Sequence, residues 1–104
     1  MSVRSLVVGA SGGIGRAFCR ALAQEGEVCG LSRSDGVDVT DESSVQRSIG
    51  ALEGHFDMII VATGALGTPE KSLRSFDATA LAAQIAVNAA GPLLVLKHSA
   101  GLLP

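Results

Sequence analysis

Gly9, Gly12, Gly13 and Gly15 fall within seven residues of one another, directly after the apolar run Val3–Val8, and glycines so spaced let a chain do chemistry with its backbone. Gly9 can take the angles of a tight strand-to-helix turn. Gly13 lets the main chain come close to a pyrophosphate, and Gly15 lets the new helix pack against the strand. Ser11 adds a hydroxyl donor. A helix opening at Gly13, with Ile14 in its first turn, points N–H groups at an anion, and its dipole adds positive charge there without any lysine. Gly9, Ser11, Gly12, Gly13, Ile14 and Gly15 are therefore candidate cofactor-binding residues for a dinucleotide, although such a turn alone is also an ordinary connection between a strand and a helix.

A second group lies at the end of the next apolar run. An acidic residue about 20 positions beyond such glycines holds a ribose 2′-hydroxyl, whereas a 2′-phosphate wants a cation there. Ser32 and Arg33 occupy that place. The planar donor fork of Arg33 suits a phosphate and Ser32 can donate beside it, so NADP is expected over NAD. Asp35, two residues on, could instead turn toward the ribose. Asn88 and Pro92 form a third pair, because a proline cannot donate to the carbonyl four residues earlier and so kinks the helix that holds both. His55 and His98 invite a general-base argument. His55, however, precedes an apolar run, at the end expected to lie away from the ligand crevice, and His98 stands near the end of an apolar helix. Surface or boundary roles are expected for both.

The elements that must position these groups alternate in type. Val3–Val8 reads as a buried strand. A helix follows over Gly13–Glu25, with Ile14, Ala17, Phe18, Ala21 and Leu22 on one face, and then a second strand over Glu27–Leu31. Gly36–Val39 reads as a short third strand, and Asp41–Leu52 as a helix capped by Thr40 or Asp41. Met58–Ala62 is a fourth, continuously apolar strand, and Asp77 to about Leu102 a long closing helix. The one loop of any length spans Thr63–Ser75. This order implies a parallel sheet with its ligand crevice at the carboxyl ends of the strands.

Composition bounds the function. The chain has 104 residues, 47% of them hydrophobic, with 13 glycines and a formal charge of -2, which fits one α/β domain over residues 1–104. No broad basic surface offers itself to nucleic acid. No apolar run approaches the roughly 18 to 20 residues needed to cross a bilayer, and the N-terminus lacks signal-peptide character, so no membrane partner and a cytoplasmic location are expected. Cys19 and Cys29 lack the close paired spacing of a zinc site and read as buried small apolar residues; no metal is expected.

Val8-Gly-Ala-Ser-Gly-Gly-Ile-Gly15, Asp38-Val39, Ala62-Thr-Gly-Ala65 and Val87-Asn-Ala-Ala-Gly-Pro92 together resemble the amino-terminal half of a short-chain dehydrogenase/reductase. Asn88 points to the classical type, while Gly9, Gly12 and Gly15 also fit the Gly-x-x-Gly-x-x-Gly spacing of extended members. The brief link between the second and third strands and the segment 69–74 resemble a compact branch called C-factor-like.

The resemblance implies a Rossmann-type doubly wound parallel sheet, incomplete in this chain. In it Asp38 bonds the adenine amino group and Val39 covers the ring, unless Asp38 merely caps the following helix. Ala62, Thr63 and Gly64 would run beside the cofactor, with Thr63-Gly64-Ala65 replacing the family's Asn-Ala-Gly. The main-chain carbonyl of Asn88 would hold a water in a proton relay. The family also needs a catalytic serine and a Tyr-x-x-x-Lys, yet the chain contains no tyrosine. These are expected beyond Pro104, in an NADP-dependent oxidoreductase acting on a carbonyl or alcohol. The alternatives are a non-catalytic NADP-binding or signalling module and an atypical epimerase. The family further implies a homo-oligomer paired through the 77–102 helix.

Overall fold

The computed structural model describes residues 2–64, 74 and 77–104. Three parallel strands form its sheet in the order β2-β1-β3: β1 (Ser5–Val8), β2 (Val28–Leu31) and β3 (Met58–Val61). β1 lies in the centre, with Leu6 opposite Cys29 and Ile59, and Val8 opposite Leu31 and Val61. Its four residues are wholly buried, as a strand covered on both faces requires.

Side chains alternate across the sheet. Leu6 and Val8 face one side, where they join Val45 and Ile49 of α2 (Glu42–Gly50) and Val95 of α4 (Gly91–Ser99) in the core. Val7 and Gly30 face the other side. A Cβ on Gly30 would stand 2.8 Å from the Cβ of Ala10 and 3.7 Å from Cys19 Sγ, so α1 (Gly13–Leu22) packs there.

Arg4 ties the amino-terminal ends of the strands. Its Nη1 donates to the carbonyls of Glu53 and His55 at 2.8 and 3.0 Å, and its Nε to Glu27 at 3.3 Å. The guanidinium also sits 4.2 Å over the ring of the buried Phe56. On the opposite layer, Glu42 Oε2 receives both Lys97 Nζ and His98 Nε2 at 2.7 Å, which clasps α2 to α4 and gives His98 its boundary role. Those two hydrogen bonds hold the Glu42 carboxyl below its ordinary value.

Three expectations need correction. Gly36–Val39 is not a strand: Val37 and Val39 are buried, but the Val37 N–H donates to the Ser32 carbonyl and the neighbouring backbone groups bond the Ser44 hydroxyl, leaving no ladder to join. The apolar face of α1 lies at the surface, with Ile14 69% and Phe18 40% exposed and only Gly15 of this helix buried. Both cysteines are half-buried, and burial raises the Cys29 thiol above its ordinary value. Finally, the closing helix runs continuously over Ala78–Leu102 and, by length and composition, is apolar enough to cross a membrane. Its occasional polar residues interrupt every run without lowering the average.

That closing helix is not uniform. α3 (Ala78–Ile85), capped by Asp77 on the Thr79 N–H, passes into a π-helical turn over Ala86–Ala90 before α4 begins. The Gly91 N–H reaches the Ala86 carbonyl, five residues back, and Pro92 stands in the first turn of α4. The distortion expected of Pro92 thus falls on the turn holding Asn88. Leu81, Ile85, Leu93 and Leu96 are exposed, whereas Leu94 packs against the core. The expected loop over 63–75 lies outside the described residues, apart from Thr63, Gly64 and Arg74.

Candidate functional site

A cavity of about 450 Å³ opens at the carboxyl ends of β1 and β3. The chain, having placed β2 on one side of β1, returns to place β3 on the other, and the crevice lies where the order reverses.

Gly9 makes the turn beneath it. Its φ is +92°, and a Cβ there would stand 2.7 Å from the Ala62 carbonyl carbon, so both conformation and close approach require glycine. Gly15 is needed for a different reason than helix-on-strand packing: a Cβ would fall 1.8 Å from the Gly9 carbonyl oxygen, inside the turn itself. Gly13 faces open space. α1 begins at Gly13 with Gly12 as its cap, and neither a side-chain cap nor an acidic residue occupies its first turn. The start of the helix therefore presents backbone donors and partial positive charge to the space in front of it.

The opposite wall comes from the segment after β2. Ser32 and Arg33 line the cavity, Ser32 buried and Arg33 exposed. Asp35 does not swing toward the crevice; its Oδ2 accepts from the Ser32 N–H and hydroxyl at 2.8 and 3.0 Å. Asp38 also lines the cavity, and its Oδ1 accepts from the Thr40 hydroxyl at 2.6 Å and the Thr40 N–H at 2.9 Å. Those bonds, helped by the more distant Arg33 charge, hold its carboxyl below the ordinary value. Helix α2 is capped by Asp41 and not by Asp38 or Thr40. Val39 lines the cavity while packing on α4, where a Cβ on Gly91 would press to 2.8 Å from its Cγ2.

Ala62, Thr63 and Gly64 form the third wall. Thr63 Oγ1 is buried with no hydrogen-bond partner among the described residues, a group that a polar ligand in the crevice would satisfy. A Cβ on Gly64 would come within 3.3 Å of Asn88 Oδ1, so Gly64 leaves room beside the π-helical turn.

Of the expected residues, Gly9, Ser11, Gly12, Ser32, Arg33, Asp38, Val39, Ala62, Thr63 and Gly64 line this cavity. Gly13 and Ile14 line an adjoining, more open depression with Phe18, which shares Gly12 and Ala62–Gly64 with it. Gly15 lies beneath the turn and Asn88 beside Gly64, neither on the lining. Val8, Val37, Thr40 and Val87 also line the cavity and were not among the expected residues; Val37 carried a signal, being apolar two positions before Val39.

Ser44 carried no such signal. It is 4% exposed; its hydroxyl donates to the Gly36 carbonyl at 2.8 Å and accepts the Asp38 N–H at 2.9 Å, pinning the segment that carries Asp38. Ser44→Ala is expected to cost about 1–3 kcal/mol, the penalty of two backbone groups losing a buried partner. An unchanged urea midpoint would show that the segment holds without it.

The NAD dependent epimerase/dehydratase family model matches residues 5–100. No curated protein matches the chain in sequence. Among solved structures it is similar to a small-chain dehydrogenase at 28% identity and TM-score 0.88, over 100% of this chain and 50% of that one. A small-chain dehydrogenase in complex with NADPH gives the same identity and TM-score over 100% and 47%. The protein lin1944 from Listeria innocua matches at 25% identity and TM-score 0.87, over 99% and 52%. The chain spans about half the length of each.

Proposed function

The chain belongs to the NAD dependent epimerase/dehydratase family and has the Rossmann-type fold of the short-chain dehydrogenase/reductases, and from that premise we propose that it binds NADP as the nucleotide-binding part of an oxidoreductase acting on a small carbonyl or alcohol. The observation that carries this reading is the cavity itself. One wall is an uncapped helix start for a pyrophosphate, another holds Arg33 for a 2′-phosphate, and the third has a threonine hydroxyl with no partner among the described residues. A small-chain dehydrogenase similar to this chain is described in complex with NADPH.

Each residue has a part in holding that group. Amides at the start of α1 would take the pyrophosphate, with Ser11 adding a hydroxyl. Asp38 would accept from the adenine amino group while Val39 covers the ring. Thr63 would donate to or accept from a polar edge of the nucleotide, and Gly64 would keep its backbone close. When bound, the cofactor supplies a hydride from nicotinamide C4 for transfer to a carbonyl carbon. Asn88, on the π-helical turn beside Gly64, would orient a water in the relay that returns the proton. The proton donor itself is not among these residues, which include no tyrosine. The chain alone is therefore expected to bind nucleotide without turnover. Self-association through the 77–102 helix would cover the exposed Leu81, Ile85, Leu93 and Leu96.

Fluorescence titration with NADPH and NADH tests the proposal. Saturable binding with NADPH the tighter ligand is expected; no saturable binding of either would remove the nucleotide reading. The Gly9, Gly12, Gly15 spacing and the family match favour epimerisation as a second reading. In a complete enzyme it would show turnover without net NADPH consumption.

A further inference from the structure

By its distance from the glycines, Asp35 could read a ribose 2′-hydroxyl, and a carboxylate so placed would repel a 2′-phosphate. The structure gives it other partners. Asp35 Oδ2 accepts from both the N–H and the hydroxyl of Ser32. With that hydroxyl proton committed, the Ser34 hydroxyl, 2.8 Å away, donates to Ser32 Oγ. The Asp35 N–H returns to the Ser32 carbonyl at 2.9 Å, which completes a reciprocal cap around the single turn Arg33–Asp35. Gly36 then closes the turn at φ +89°, its N–H on the Arg33 carbonyl at 3.0 Å. Both ends of the turn that bears Arg33 are thereby fixed, while Asp35 itself stays off the cavity lining.

We infer that Asp35 is a positioning residue for cofactor selectivity: by holding Ser32 through two hydrogen bonds it sets the turn that presents Arg33 to the 2′-phosphate. This rests on the nucleotide reading above. It goes beyond that reading in assigning the phosphate preference to an acceptor oxygen outside the cavity as well as to the cation within it. The carboxylate works here as a cap, so its oxygen matters and its charge does not.

Asp35→Ala and Asp35→Asn in the full chain, titrated with NADPH and NADH by fluorescence, separate the possibilities. Asp35→Ala is expected to weaken NADPH three- to tenfold and leave NADH unchanged, lowering the selectivity ratio. Asp35→Asn, which keeps an acceptor for the Ser32 N–H, is expected to restore most of the ratio. Tighter NADPH binding in both variants would overturn the inference, because the carboxylate would then be a repelling charge. Equal weakening of NADPH and NADH, or no change in either, would overturn it too. If the unsubstituted protein binds neither nucleotide, the nucleotide reading fails and this inference falls with it. If it binds both and only the variants misbehave, the inference fails alone.

Discussion

Gly15→Ala is expected to destabilise the protein by about 3 kcal/mol or more, a large share of the roughly 5–15 kcal/mol that holds an ordinary domain together. The added Cβ would stand 1.8 Å from the Gly9 carbonyl oxygen and 2.7 Å from its carbon, with Ala10 Cα at 3.1 Å. All three neighbours are backbone, so no side chain can rotate away. Relief requires α1 to lift off β1 or Gly9 to leave its turn, and Gly9 is itself wedged against the Ala62 carbonyl. Gly13→Ala is the matched control. Its Cβ enters open space, so the fold should hold while the approach of a pyrophosphate narrows. Urea unfolding followed by NADPH titration reads the pair: Gly15→Ala should lose stability and binding together, Gly13→Ala binding alone. A Gly15→Ala midpoint equal to that of the unsubstituted protein would refute the steric account.

Gly9 and Gly15 also show why parts of the molecule were legible from residue order alone. A turn that admits only glycine announces itself locally, and so does a proline four residues after Asn88, which marked the distortion now seen as a π-helical turn. The parallel sheet followed from the alternation of apolar runs with helices. Gly36–Val39 misled because alternating apolar residues signal burial and not hydrogen bonding. Val37 and Val39 are indeed buried, but the backbone around them is satisfied by Ser44, a residue of the following helix that nothing in the local pattern connects to them. The stripe of α1 was legible as amphipathic, yet periodicity cannot say what covers a stripe. In these 104 residues Ile14 and Phe18 remain on the surface beside β3. Asp35 was left open in a similar way: its spacing suited a ribose hydroxyl, and only the turn geometry shows that it holds Ser32.

Arg33→Asp is the change with the largest expected effect on ligand choice. Arg33 is exposed, and among the described residues its side chain joins no hydrogen bond or ion pair that holds the fold, so the variant should unfold as the unsubstituted protein does. On the proposed reading its loss removes a charge-assisted contact of about 1.5–3 kcal/mol to a phosphate, or roughly 10- to 100-fold in affinity. The introduced carboxylate adds repulsion of the same ligand. NADH carries no 2′-phosphate, and an acid at this place suits the free ribose hydroxyl, so its affinity should hold or rise. The proposed preference for NADPH over NADH is therefore expected to invert, with Arg33→Ala intermediate because it removes attraction without adding repulsion. Asp38 lines the same cavity with its carboxyl held ionised by Thr40, so a second acid close by deepens the exclusion of phosphate. Equal weakening of both nucleotides by Arg33→Asp would mean that the side chain supports the wall in general, and the preference would then have to come from elsewhere in the crevice.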